Sequence, residues 1–178
     1  MAAELGRSSG YNPVMDTVYI ENTVVGNLAG RMHPDPLIAS RQTVTRQWWS
    51  TATTRFRLLA SQLVIEECSA GDPTAAAERL TAITGIELLI ASAEVDQLVD
   101  ALVAGGALPA SQPRDAFHIA IAAVNGVQYL ATWNFKHIAN AMLQNRIADI
   151  CRDAGFESPI ICTPEQLSEN DNDDPIPN

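Results

Sequence analysis

Short β-branched and apolar runs, VYI (18–20), FRLLA (56–60), IELLIA (86–91), VQYLAT (127–132) and PIICT (159–163), alternate with stretches of helical spacing. The helical stretches run from Pro36 to Thr53, Ser61 to Ala70, Thr74 to Thr84, Ala93 to Ala104, Pro113 to Asn125 and Ile138 to Asp153. GDP (71–73), GG (105–106) and NG (125–126) supply turn chemistry between them. Strands separated by helices must be joined by parallel crossovers, so the pattern predicts an α/β doubly wound domain. It is a three-layer α/β/α arrangement with a central parallel sheet of about five strands.

Length and composition agree with one such domain. The chain has 178 residues and is 47% hydrophobic, enough for an ordinary core without metal or disulfide support. Residues 1–15 are polar with Gly and Ser, and residues 168–178 are acidic with two prolines, so both ends read as disordered extensions of a folded body at 16–167. Cys68, Cys151 and Cys162 show no CxxC spacing, which argues for a reducing cytoplasm and against zinc. No apolar run approaches the roughly 20 residues of a membrane span. The start MAAELGRSSG lacks the charged and apolar regions of a secretion signal. A soluble cytoplasmic protein is expected.

The net charge is −10, of which Glu169, Asp171, Asp173 and Asp174 in the tail contribute four. Such a surface does not attract nucleic acid by general electrostatics, so nucleic-acid chemistry would require local cations or bound metal. Arg31, Arg41, Arg46, Arg55 and Arg57, with Trp48 and Trp49, concentrate in residues 31–57. They read either as a phosphate-binding face with stacking rings, or as tryptophans in a core or dimer interface with arginines paired to acids.

In doubly wound sheets, ligands bind outside the carboxyl ends of the strands. Glu21 ends the first strand, where it either begins a ligand set or sits near the dipole of a helix capped by Asn22 or Thr23. Glu66 and Glu67 are neighbours about 100° apart on a helix, and Glu67 lies i+3 from Val64 and i+4 from Leu63. Glu67 is therefore drawn toward the core edge while Glu66 is solvated. Asp115 occupies the first turn of the apolar helix PRDAFHIAIAAV, as a dipole partner or a cation ligand. His118, one turn on, braces the helix or a neighbouring carboxylate. Thr132, Trp133 and Asn134 follow the fourth strand, and Lys136 and His137 are either phosphate contacts or an exposed loop pair.

Glu21, Glu67, Asp115 and Asn134 thus converge on one sheet edge without a matching set of basic residues. Carboxylates held together repel unless a cation lies between them, and oxygen donors suit Mg²⁺ or Mn²⁺ rather than zinc.

The motif order, a strand ending in an acid, Ser61 to Glu67 as Ser-x5-Glu, DAFHIA from Asp115, and Thr132-Trp133-Asn134, resembles the PIN-domain ribonucleases, especially VapC-like toxins of type II toxin–antitoxin modules. The similarity covers roughly residues 17–163. The resemblance implies a PIN-like domain acting as a Mg²⁺- or Mn²⁺-dependent endoribonuclease, with Glu21, Glu67 and Asp115 as metal ligands and Asn134 as a fourth catalytic position. It further suggests Asn22, Thr132 and His118 as supporting groups, Arg114 and Lys136 as RNA contacts, a cognate antitoxin and a homodimer. Two departures stand out. Glu21 replaces the Asp usual in the family and is one methylene longer, and Asn134 lacks the charge that an Asp would bring. The alternative is a PIN-like binding or regulatory protein that has lost catalysis. A flavodoxin-like domain is disfavoured by the lack of a Gly-rich phosphate loop after the first strand.

Overall fold

The computed structural model describes residues 15–168; both expected tails, at 1–15 and 168–178, fall almost wholly outside this range. The strands are β1 (Thr17–Ile20), β2 (Arg57–Ser61), β3 (Glu87–Leu89), β4 (Tyr129–Ala131) and β5 (Ile160–Cys162). The helices are α1 (Asn22–Ala29), α2 (Pro36–Arg55), α3 (Gln62–Cys68), α4 (Pro73–Ala82), α5 (Ala93–Ala104), α6 (Pro113–Val124) and α7 (Gln144–Asp153). The sheet order is β3-β2-β1-β4-β5 and every pairing is parallel. The chain builds outward from β1 to β3 and then returns to lay β4 on the other side of β1. The order therefore reverses between β1 and β4, and in sheets of this kind ligands bind at the carboxyl ends beside such a switch point.

α1 packs with α2, α3 and α4, and α5 packs with α6 and α7, so the helices form two groups flanking the sheet. Parallel strands covered on both faces must be apolar throughout, and Val18, Tyr19, Ile20, Ala60, Leu130 and Ala131 are all fully buried. Trp48 joins this core, with Trp49 half-buried against it. Arg46 donates to the carbonyls of Leu28 and Gly30, and Arg57 pairs with Glu87. The Arg/Trp segment therefore goes mainly into packing and local pairing instead of forming a stacking face.

Local chemistry sets the element ends. Asp35 and Asp72 cap α2 and α4, each followed by proline at the first helical position. Glycines end three helices in the same way. Gly126 has φ +65, its N–H reaches Ala123 O at 3.1 Å, and Val127 N–H reaches back to Ala122 O at 2.9 Å. This closure needs a residue in the left-handed region, which glycine occupies without penalty. Gly106 and Gly155 close α5 and α7 likewise.

Two departures from the sequence pattern matter. Residues 22–29 form a helix capped by Glu21, one or two residues earlier than the expected Asn22 or Thr23. The helix expected from Ile138 begins only at Gln144. Residues 135–143 turn instead, because polar side chains take up their backbone groups. Asn134 Oδ1 accepts from His137 N–H, Asn140 Oδ1 accepts from Met142 N–H, and Gln144 Nε2 donates to Ile138 O. Among the described residues no helix is long and apolar enough to cross a membrane.

Leu130 is fully buried in a central strand, whereas Ile160 on edge strand β5 is 61% exposed. Leu130→Ala should cost about 2–5 kcal/mol by urea denaturation. Ile160→Ala should stay within about 0.5 kcal/mol of wild type.

Candidate metal centre

Glu21 leaves β1 in extended conformation and caps α1. It is 3% exposed, and a carboxylate so buried must be satisfied by donors. Oε2 accepts from the Thr23 N–H at 3.1 Å, from the Thr132 hydroxyl at 2.8 Å and from the Thr23 hydroxyl. Those hydroxyls accept in turn from the chain leaving β4, Thr23 Oγ1 from Trp133 N–H at 2.8 Å and Thr132 Oγ1 from Asn134 N–H at 2.9 Å. One carboxylate oxygen thereby ties the end of β1, the start of α1 and the exit of β4 together at the switch point. Among the described residues no donor reaches Oε1.

Glu67 lies near the end of α3, whose first turn is set by the Ser61 cap at the end of β2. Its Oε2 accepts from His118 Nε2 at 2.9 Å. His118 Nδ1 meets the Tyr19 hydroxyl at 2.9 Å, and that hydroxyl meets Ser61 Oγ at 2.7 Å. One proton arrangement satisfies the whole chain: Ser61 donates to Tyr19, Tyr19 donates to Nδ1, and Nε2–H donates to Glu67. Tyr19, Ser61 and His118 are buried, so this chain fixes the Glu67 carboxylate from below. Burial works against the charged form of Glu67. The pairing with His118, a hydrogen bond from Asn22 and the charge of Arg114 outweigh it and hold the carboxyl below its ordinary value. Burial likewise pushes the Tyr19 hydroxyl far up, only partly opposed by its bond to Ser61.

Asp115 sits in the first turn of α6, one turn before His118. Its Oδ1 accepts from Asn134 Nδ2 at 3.0 Å and its Oδ2 pairs with His137 Nδ1 at 2.6 Å. Both of its oxygens are therefore committed. Arg114 is largely exposed and approaches Glu67 Oε1 at 3.8 Å, while Lys136 is exposed beyond β4.

Glu21, Glu67 and His118 offer ligand atoms within 4.8 Å of one another. Of the three expected ligands, Glu21 and Glu67 meet; Asp115 stands outside this group, held by Asn134 and His137. Both nitrogens of His118 are already spent on Tyr19 and Glu67, which makes it a brace for a ligand. Glu21 keeps Oε1 free of donors among the described residues and Glu67 sets a second carboxylate beside it; such a pair fits Mg²⁺ or Mn²⁺, because Mg²⁺ retains several waters and is often held by one or two carboxylates plus substrate phosphate. Sequence reasoning missed Tyr19, took Ser61 only as the start of Ser-x5-Glu, and left His137 as a phosphate contact or an exposed loop residue rather than a partner of Asp115. Only Tyr19 carried a signal, since a hydroxyl inside a buried strand requires a partner.

No family model, curated protein or solved structure significantly matches the chain.

The lowered Glu67 carboxyl fixes a sign. A group charged more readily in the folded than in the unfolded protein contributes stability above its unfolded value, and that contribution is lost as pH falls through the folded one. In metal-free protein, the stability difference between wild type and Glu67→Gln should thus shrink as pH drops below the ordinary glutamate value of 4.5. Chemical denaturation across that range measures it, and a difference that grows on acidification would contradict the assignment.

Proposed function

We propose that the chain is a Mg²⁺- or Mn²⁺-dependent endoribonuclease that hydrolyses RNA phosphodiester bonds. The observation that carries this reading is the meeting of two nearly buried carboxylates, Glu21 and Glu67, at the point where the strand order reverses. Glu21 and Glu67 would hold the cation. When bound, it supplies an activated water and stabilises charge on the phosphate and leaving oxygen.

The protein's own groups do the remainder. Thr23 and Thr132 fix Glu21 in one rotamer, and Tyr19 and His118 do the same for Glu67. Asp115, tied to Asn134 and His137, acts from outside the ligand pair as a positioning group at the mouth of α6. Arg114 and Lys136 give this acidic protein local positive charge at the same edge, where a phosphate chain needs it. The VapC-like toxin role, a cognate antitoxin, a homodimer and a cytoplasmic location are carried by the sequence resemblance.

A second reading, a PIN-like binding or regulatory protein without catalysis, is favoured by the full engagement of Asp115. Calorimetry with Mn²⁺ and cleavage of a mixed-sequence single-stranded RNA separate the two. Wild type should bind Mn²⁺ and cut, and Glu67→Gln should do neither. Tyr19→Phe should lose about 10- to 100-fold in Mn²⁺ affinity or activity, as outer supports of metal ligands do. RNA cutting that is equal in wild type and Glu67→Gln would end the nuclease reading, and Mn²⁺ binding without cutting would select the second.

A further inference from the structure

We infer that the cleft running from Glu67 along α1 is the seat for a ribose-phosphate unit of single-stranded RNA, a subsite that rests on the nuclease reading of the acidic pair. The cleft encloses about 490 Å³, within the range of small-ligand sites. Asn22, Gly26 and Asn27 of α1 line it, with Glu67 and Arg79, and Arg31 and His33 of the α1–α2 connection. The acid end therefore adjoins the candidate metal centre, and two arginines, Arg31 and Arg79, line the same cleft. A ligand that is anionic along its backbone and reactive at one phosphate fits that pairing of charges.

The polar groups are held ready. Arg79 donates through Nε to Cys68 O at 2.9 Å and through Nη2 to Ala70 O at 2.6 Å, which fixes its charge beside the end of α3. Buried Gln42 donates to Arg31 O and accepts from His33 N–H, each at 2.8 Å, so the connection carrying both residues is pinned. The Arg31 side chain itself is exposed and makes no hydrogen bond or ion pair among the described residues. Asn27 Nδ2 donates to Thr23 O at 2.7 Å, which leaves Oδ1 as an acceptor for a ribose hydroxyl.

Gly26 is the sharpest sign. It lies inside α1, where glycine costs about 1 kcal/mol relative to alanine. Nothing in its backbone demands glycine, since its φ is not positive, and a Cβ built there would meet no atom within 4 Å. The missing side chain keeps open space in the cleft and serves no packing contact.

Gly26→Leu should fill that space while favouring the helix. The test measures binding of a fluorescein-labelled single-stranded RNA hexamer by anisotropy, with Ca²⁺ replacing Mg²⁺ to hold cleavage back, alongside Mn²⁺ calorimetry. Gly26→Leu should weaken RNA binding about tenfold or more while leaving Mn²⁺ affinity within about twofold, a loss on the scale of one deleted contact. Arg31→Ala, at an exposed position, should weaken RNA binding and lower the salt slope by about one. RNA affinity unchanged in both variants, or absent in wild type, overturns the subsite. RNA binding lost in Gly26→Leu by a wild-type protein that binds no Mn²⁺ would leave the subsite standing and sink the nuclease reading alone.

Discussion

The Glu21 carboxylate is the contact on which the arrangement of the sheet edge depends. A charge 3% exposed is tolerated only where donors surround it, and here the donors come from both sides of the switch point. Thr23 belongs to α1 and Thr132 follows β4, and each hydroxyl also takes a backbone N–H from the chain leaving β4. Removing the carboxylate would therefore leave hydroxyls and two loop exits without their shared centre. The same bonds concentrate on Oε2, so holding the strand ends together and offering Oε1 to a ligand are compatible tasks for one side chain.

The proposed cation would relieve an electrostatic cost. Two full negative charges within 4.8 Å repel by about 3 kcal/mol or more at an effective dielectric constant of about 20. Hydroxyl donors on Glu21 and the Tyr19–His118 chain on Glu67 offset part of this cost. The nearest guanidinium, that of Arg114, stands 3.8 Å from Glu67 and is largely exposed, so it is a weak counter-charge. A divalent cation between the acids would relieve the remainder. Asp115 follows a different logic: Asn134 and His137 take up its two oxygens in hydrogen bonds.

Much of the fold was legible in the sequence because its signals are local. Alternating short strands and helical stretches gave the parallel sheet, and Asn125-Gly126 and Gly105-Gly106 marked helix ends whose geometry requires a left-handed residue. The position of Glu67 at the core edge, with Glu66 exposed, followed from helical spacing. Residues 138–143 were misread as helix because apolar spacing says nothing about side chains such as Asn134 and Asn140 that capture nearby N–H groups. The candidate site was legible only as a set of polar residues at strand ends. Which of them meet is decided by contacts far apart in sequence, such as Tyr19 with His118 and His137 with Asp115. No periodicity encodes those pairings.

The central claim is that Glu21 and Glu67 share one divalent cation. Anomalous diffraction from crystals soaked in Mn²⁺ tests it most directly. The account predicts a single strong peak bonded to both carboxylates, with His118 still bridging Tyr19 and Glu67. A peak bonded to Asp115 without Glu21, or none at saturating Mn²⁺, would contradict it.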